Sequence, residues 1–117
     1  MAANLDMECA KLGSNLSQQS DDKTLTDALS VLEEQGVYAF FLYLKQKSER
    51  RRIIGPCKSF LGAQLPGAFD SSNDVLQAIQ NLARDLDSLV LARDLLRQAL
   101  IYGRYHAKAR ASSGGDE

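Results

Sequence analysis

Apolar residues recur along the chain at helical spacing, and patterns typical of strands are nearly absent. The first stripe lies within 4–18, where Leu5, Cys9, Leu12 and Leu16 are three or four residues apart. Runs that alternate Val, Ile or Thr with polar residues are missing, and neither Asn-Gly nor Asp-Gly occurs. The pattern predicts an all-α protein, a single-domain bundle of five to six helices with a long C-terminal helix.

Two further helices are predicted on either side of one glycine. The polar stretch 21–24 provides an N-cap for the first of them, and its acids are well placed at a helix N-terminus. Gly36 ends that helix, as glycine commonly does. Residues 37–47 are almost entirely apolar, which predicts a helix at the centre of the core. The single glycine between the two indicates a tight antiparallel or steeply angled hairpin.

The next helix is predicted to begin at a Ser48 cap and to contain a proline. Pro56 removes one backbone donor, so it either kinks this helix or divides it near Ile54. Residues 64–73 are rich in Pro, Gly, Asp and Ser, which predicts the one extended loop. Another helix is expected to start at 73–74.

The last predicted helix spans 86–111 and has two faces of different character. Its length of about 26 residues corresponds to roughly 39 Å. Small and apolar residues at a three-four spacing form its core face: Leu89, Ala92, Leu96, Ala99 and Gly103. Basic residues within an arc of about 60° form the second face: Arg93, Arg97, Arg104 and Lys108. Asp85 or Asp87 is expected to cap this helix.

Composition agrees with one helical domain at 1–111, followed by a small, polar and disordered tail at 112–117. The chain has 117 residues, of which 44% are hydrophobic and 25% charged, the balance of a soluble globular domain. Its longest apolar run, 37–44, is much shorter than the roughly 20 residues that span a bilayer. Residues 1–12 lack the features of a secretory signal. We therefore expect a cytoplasmic protein without a membrane segment.

Cysteine and histidine usage indicates no catalytic or metal chemistry. Cys9 and Cys57 are expected to be buried free thiols, with a disulfide left open as the alternative. His106 lacks companions at the spacing of a metal site or a catalytic triad. Glycine-rich phosphate loops, HExxH and calcium-loop patterns are also absent from the sequence. We predict a protein that is not an enzyme and uses no cofactor or metal.

The net charge of −1 conceals a strong segregation of charge. Residues 1–34 have a net charge of −5, 35–58 of +5, 59–94 of −3 and 95–117 of +2. Alternating acidic and basic blocks favour ordered assembly over free binding to a polyanion.

The most basic stretch contains six cations: Lys45, Lys47, Arg50, Arg51, Arg52 and Lys58. Two interpretations stay open. The cations form a solvated surface, with arginines paired to acids of the first two helices, or they bind phosphate oxygens. At most two of the arginines 50–52 can face one ligand. The aromatic residues within 38–43 are expected to pack in the core. Tyr102 and Tyr105 flank the basic face of the last helix and are better placed to bind phosphate.

The order of the elements resembles the small helical subunit of type III CRISPR effector complexes, in its Cmr-like form. Residues 34–45 carry part of the likeness, with Gly36 before an apolar aromatic helix that ends in lysine. Residues 95–109 carry the rest, a final helix that ends in a basic-aromatic-alanine pattern. The resemblance covers most of 4–111 in helix order and length, and it leaves the CRISPR subtype and copy number open.

The resemblance implies a non-catalytic subunit that stacks in several copies as a minor filament. Its implied partners are guide RNA, target RNA, the backbone and large subunits of the effector complex, and further copies of itself. Backbone contacts to RNA would come from eight side chains: Lys45, Lys47, Arg50, Arg51, Arg93, Arg97, Arg104 and Lys108. The alternative is a helical adaptor or homo-oligomer that binds only protein.

Overall fold

Helices make up nearly all of the regular structure, and the described part of the chain contains no strand. The computed structural model describes residues 4–71 and 74–116, with side chains to Ala111. Six helices of eight residues or more and one four-residue helical turn occur in this order: α1 Leu5–Gln19, α2 Asp22–Gln35, α3 Val37–Lys45, α4 Ser48–Arg51, α5 Ile54–Gln64, α6 Val75–Leu82 and α7 Leu86–Asp116. The predicted all-α bundle with a long C-terminal helix is confirmed.

Short polar side chains and one glycine set several of the helix ends. The Asp21 carboxylate caps α2 by accepting a hydrogen bond from the Thr24 N–H at 2.9 Å. Asp74 caps α6 in the same way, accepting from the Leu76 N–H at 3.1 Å. Gly36 ends α2 with a φ of 100°, a left-handed conformation that favours glycine. These starts and this end agree with the sequence prediction.

Pro56 divides the predicted fourth helix into α4 and α5, which are separated by residues 52–53. Proline has no backbone donor, and its ring collides with the carbonyl four residues earlier, here that of Arg52. The predicted Ser48 cap is wrong. Ser48 is the first residue of α4, and Lys47 occupies the cap position without a side-chain cap hydrogen bond.

The core forms around α7, against which α1 and α2 pack most extensively. The predicted core face of α7 is confirmed: Ala92, Leu96, Ala99 and Gly103 are buried, and Leu89 is partly buried against the core. Burial of this face removes apolar surface from water, the main favourable contribution to folding.

Glycine allows α1 and α7 to approach closely. A Cβ on Gly13 would lie 2.7 Å from both the Ala99 carbonyl oxygen and the Gly103 nitrogen, which is too close for any other residue without a shift. Elsewhere along this interface, the Cys9 thiol donates to the Leu95 carbonyl at 3.6 Å. The contacts advance along both helices in the same direction, so α1 and α7 run parallel.

Both cysteines are free and buried, as predicted. Burial raises the pKa of the Cys57 thiol to about 12. Burial, with the nearby carboxylates of Asp6 and Glu8, raises the pKa of Cys9 to about 11. Both thiols are therefore protonated near neutral pH, which makes them poor nucleophiles.

The helix α3 is less enclosed than the sequence predicts. Phe40 and Phe41 are buried, with ring centroids 5.0 Å apart in an edge-to-face contact. Tyr38 and Leu42, however, are 42% and 44% exposed. The prediction of a helix buried on all sides is wrong, because the helices packed against α3 leave one of its sides uncovered.

The end of α7 also differs from the prediction. The backbone is helical to Asp116, beyond the predicted end at Ala111. The disordered tail predicted for 112–117 is not confirmed, and Glu117 lies outside the described residues. Across the described ranges, no helix is both long enough and apolar enough to cross a membrane.

Candidate nucleic-acid interface

The two predicted basic regions lie on different elements. The first, which we call the α7 stripe, is a row of side chains on one face of α7: Arg93, Arg97, Arg104 and Lys108. The second, which we call the α4 junction, consists of the cations around the short helix α4: Lys45, Lys47, Arg50, Arg51, Arg52 and Lys58. They differ in what their charged groups contact.

Carboxylates of α2 contact three of the four cations of the α7 stripe. The Arg97 Nε donates to Glu33 Oε2 at 2.7 Å. The Arg104 Nε donates to Asp22 Oδ1 at 3.3 Å. Lys108 Nζ lies 3.4 Å from the second oxygen of the same Asp22 carboxylate. Glu33 thus meets the N-terminal part of the stripe and Asp22 its C-terminal part, so α2 runs antiparallel to α7.

These ion pairs are accessible to solvent. The side chains of Arg97 and Glu33 are 47% and 43% exposed, and Asp22 is 39% exposed. Surface pairs of this kind contribute only about 0–1 kcal/mol, because water and salt screen them. The fourth cation, Arg93, lies 3.8 Å from its chain neighbour Asp94, beyond ordinary hydrogen-bond distance.

Two arginines of the α4 junction stabilise the end of α3. The guanidinium of Arg50 lies 3.8 Å from the centroid of the Tyr43 ring and donates to the Tyr43 carbonyl at 3.2 Å. The Arg51 Nε donates to the Lys45 carbonyl at 2.8 Å. Both carbonyls belong to the last turn of α3, where backbone acceptors lack helical partners and cations are favourable.

Lys45 is also occupied. Its Nζ lies 3.3 Å from Asp74 Oδ1, and this contact lowers the pKa of the Asp74 carboxyl. The remaining junction cations, Lys47, Arg52 and Lys58, form no ion pair within residues 4–71 and 74–116. They are the charges of this region that remain available to a ligand.

The distribution of partners differs from the interpretation that pairs the arginines of the α4 junction with acids of the first two helices. Acids of the first two helices do pair with arginines, but with those of the α7 stripe rather than those of the α4 junction. Of the eight predicted RNA-binding residues, Lys47 forms neither a hydrogen bond nor an ion pair through its charged group in the described chain, and Arg93 has only its chain neighbour Asp94, at 3.8 Å. Arg52 and Lys58, which the prediction omitted, are available as well.

An open polar cleft of about 360 Å³ lies beside the α4 junction. The end of α1 and the start of α2 form one wall, with residues 18–21 and Thr24. Glu49 and Arg52 form the other. Since Asp22 holds Arg104 and Lys108 next to this wall, the start of α2 lies between the available Arg52 and the end of the α7 stripe.

The two tyrosines that flank the stripe have different surroundings. The Tyr102 hydroxyl donates to the Asp6 carboxylate at 2.8 and 2.9 Å, which raises the pKa of Tyr102. Tyr105 is 64% exposed. Of the two candidates for phosphate binding, Tyr105 is therefore the accessible one.

An apolar groove that the sequence interpretation missed lies at the start of α7. Its volume is about 170 Å³, and it is lined mainly by Val37, Leu86, Leu89 and Val90. Leu86 is 70% exposed and Val90 39%. The signal was the apolar run 89–92: helical periodicity puts Leu89 and Ala92 on the core face and leaves Val90 and Leu91 outside it.

The fold and these surfaces define an all-α bundle with accessible cations. In the described part of the chain, no group of three or more His, Cys, Asp or Glu residues is placed to hold a metal ion. Comparison of the chain with models of known protein families, with curated proteins and with solved structures finds no match.

Proposed function

We propose that this protein is a non-catalytic small subunit of a CRISPR RNA-guided effector complex, of the Cmr-like type III form, which contacts the backbone of guide and target RNA. The observation that carries the proposal is the availability of Lys47, Arg52 and Lys58 around α4. Their neighbours Arg50 and Arg51 fix the local backbone by binding the end of α3. Lys47 and Arg52 flank the turn that these contacts hold, and Lys58 follows on α5.

Cations are sufficient for binding the phosphates of an RNA backbone, because such contacts need no hydrogen bonds to the edges of the bases. Lys47 and Arg52 are the two residues that flank α4. Contacts from such side chains position a nucleic-acid backbone without reading its sequence. In an RNA-guided complex, base pairing supplies the sequence specificity.

Assembly with protein neighbours is the second part of the proposal. The neighbours are the backbone and large subunits of the complex and further copies of this chain. The apolar groove at Leu86 and the alternating charge blocks support such contacts. Copies that meet head to tail through different surfaces form an open filament rather than a closed dimer.

Fluorescence anisotropy with labelled RNA tests the proposal. A triple variant, Lys47→Gln, Arg52→Gln and Lys58→Gln, is compared with the wild-type chain on an RNA duplex and on single-stranded RNA. The wild type should bind weakly and with strong salt dependence. The variant should bind less tightly, and its slope of log affinity against log salt should fall by about one for each phosphate that it no longer binds.

The matched control removes three cations outside both basic regions, with Lys11→Gln, Lys23→Gln and Arg84→Gln. It changes the net charge equally and should retain most of the affinity. Absence of wild-type binding at low salt, or equal affinity of the two triple variants, would contradict the proposal.

A protein-only adaptor or homo-oligomer is the second candidate. The occupation of Arg97, Arg104 and Lys108 by α2 carboxylates and the 70% exposure of Leu86 favour it. Analytical ultracentrifugation of the chain with and without RNA distinguishes the two. Self-association that Leu86→Glu abolishes, together with no RNA binding at low salt, would support the adaptor.

A further inference from the structure

We infer that Asp22 and Glu33 on α2 are built-in competitors of RNA phosphate for the α7 stripe, so that the stripe binds RNA less tightly than its cations would without them. The inference rests on the proposed function, because it concerns binding of the same RNA by the second basic region.

The registration of α2 against α7 supports this inference. Asp22 and Glu33 are 11 residues apart, and Arg97 and Lys108 on α7 are also 11 residues apart. Eleven residues are close to three helical turns, about 16 Å, so each pair lies on one face of its helix. Because the helices are antiparallel, both carboxylates meet a stripe cation at once, and Asp22 meets Arg104 as well.

The chemistry of the contacts makes them competitive. A carboxylate accepts hydrogen bonds from the same guanidinium and ammonium donors that bind phosphate oxygens. While Glu33 and Asp22 hold Arg97, Arg104 and Lys108, two of these three positive charges are compensated. All three ion pairs are partly exposed, so phosphate can displace the carboxylates without disturbing the buried core.

This arrangement favours a defined order of binding. A free RNA strand meets the available charges of the α4 junction first. Once held there, its phosphates are at high effective concentration near the stripe and can replace the α2 carboxylates. The isolated chain therefore binds RNA weakly, and an RNA already fixed along a filament recruits both basic regions.

The test uses the double variant Asp22→Asn and Glu33→Gln, which removes both charges and keeps the side-chain volumes. Its matched control is Asp87→Asn with Glu34→Gln. Asp87 lies in the first turn of α7 as Asp22 does in that of α2, and neither control acid forms an ion pair in the described chain. Each double variant replaces two carboxylates by amides, so both change the net charge equally. Circular dichroism checks that both remain folded.

Anisotropy titrations with a labelled RNA duplex should show binding about three- to thirtyfold tighter for Asp22→Asn with Glu33→Gln than for the control, since three weak surface pairs no longer compete. The salt slope should steepen by up to about three. Equal affinity and slope for the two variants, with wild-type binding intact, would overturn this inference and leave the proposed function standing. Absence of binding by wild type and both variants at low salt would overturn both.

Discussion

The two sides of α7 hold their neighbours by opposite means. Towards α1 the contact is close and buried, with Gly13 directly against the backbone of Ala99 and Gly103. Towards α2 it includes half-exposed ion pairs such as Arg97 with Glu33. A buried backbone contact cannot rearrange without loss of packing, whereas screened charges can exchange partners. The α1 side therefore contributes structural stability, and the α2 side contributes charges that can change partners.

The largest effect is expected on the α1 side, from Gly13→Ala. The added Cβ meets backbone atoms at 2.7 Å, so α1 and α7 must separate. We expect a loss of about 1–3 kcal/mol in the free energy of unfolding, even though alanine favours a helix by about 1 kcal/mol. Urea unfolding measures it, with the exposed Asn15→Ala on the same helix as control. Equal stability of Gly13→Ala and wild type would refute the close-contact explanation.

The next effect concerns the start of α2, which places Asp22 opposite the stripe. Asp21→Ala removes the side-chain cap and should cost about 1 kcal/mol. The hydrogen bond with Thr24 lowers the pKa of Asp21, so the cap stabilises the folded state above the unfolded pKa of about 4. This contribution is lost as the pH falls through the lowered folded pKa.

Urea unfolding of wild type and Asp21→Ala from neutral to acidic pH checks this prediction. The difference between them should be constant near neutrality and vanish in acid. Ser30→Ala, exposed on the same helix, should show no such pH dependence. A difference that persists in strong acid would exclude the carboxylate cap as its cause.

A smaller effect is expected at the rim of the α1 contact, where Tyr102 donates to Asp6. The hydrogen bond stabilises the protonated tyrosine, so this contribution is present below the ordinary pKa of about 10 and is lost as the pH rises through the raised folded pKa. Asp6→Ala should bring the pKa of Tyr102 back towards its ordinary value. NMR titration of labelled tyrosines measures it, and an unchanged Tyr102 titration would contradict the assignment.

The smallest effect is expected on the α2 side. A double-mutant cycle of Arg97→Ala and Glu33→Ala should give a coupling of about 0.2–1 kcal/mol. The coupling should shrink in about 1 M salt, where the Debye length is roughly 3 Å. A coupling above about 2 kcal/mol, or one insensitive to salt, would show that the α2 side is as rigid as the α1 side and would remove the contrast.

Much of the fold was predictable because its causes are local. The spacing of apolar residues identified the core face of α7, and single polar residues such as Asp21 and Asp74 identified helix starts. The predictions were wrong where more than one residue could cap a helix, and where the sequence does not show which neighbouring helix covers an apolar side. Ser48 is a residue type that commonly caps helices, but α4 begins at Ser48 itself and Lys47 occupies the cap position. Leu42 belongs to an apolar helix that its neighbours cover only in part.

The candidate site was less predictable than the fold. Helical periodicity placed Arg97 and Arg104 on one face, and the structure agrees. Their contact with α2 depends on an antiparallel registration between residues more than 60 positions apart. Likewise, the consecutive arginines 50–52 are equivalent in sequence, but Arg50 lies on an aromatic ring and Arg52 borders an open cleft.

The sequence alone determined the helices, the two faces of α7 and the segregation of charge, because these follow from periodicities within a few turns of chain. Only the tertiary structure decided which cations are available. Ion pairing depends on distances of a few ångströms between side chains from different helices, and packing sets those distances. The long last helix is therefore visible in the sequence, whereas the partial neutralisation of its basic stripe by α2 appears only in the folded bundle.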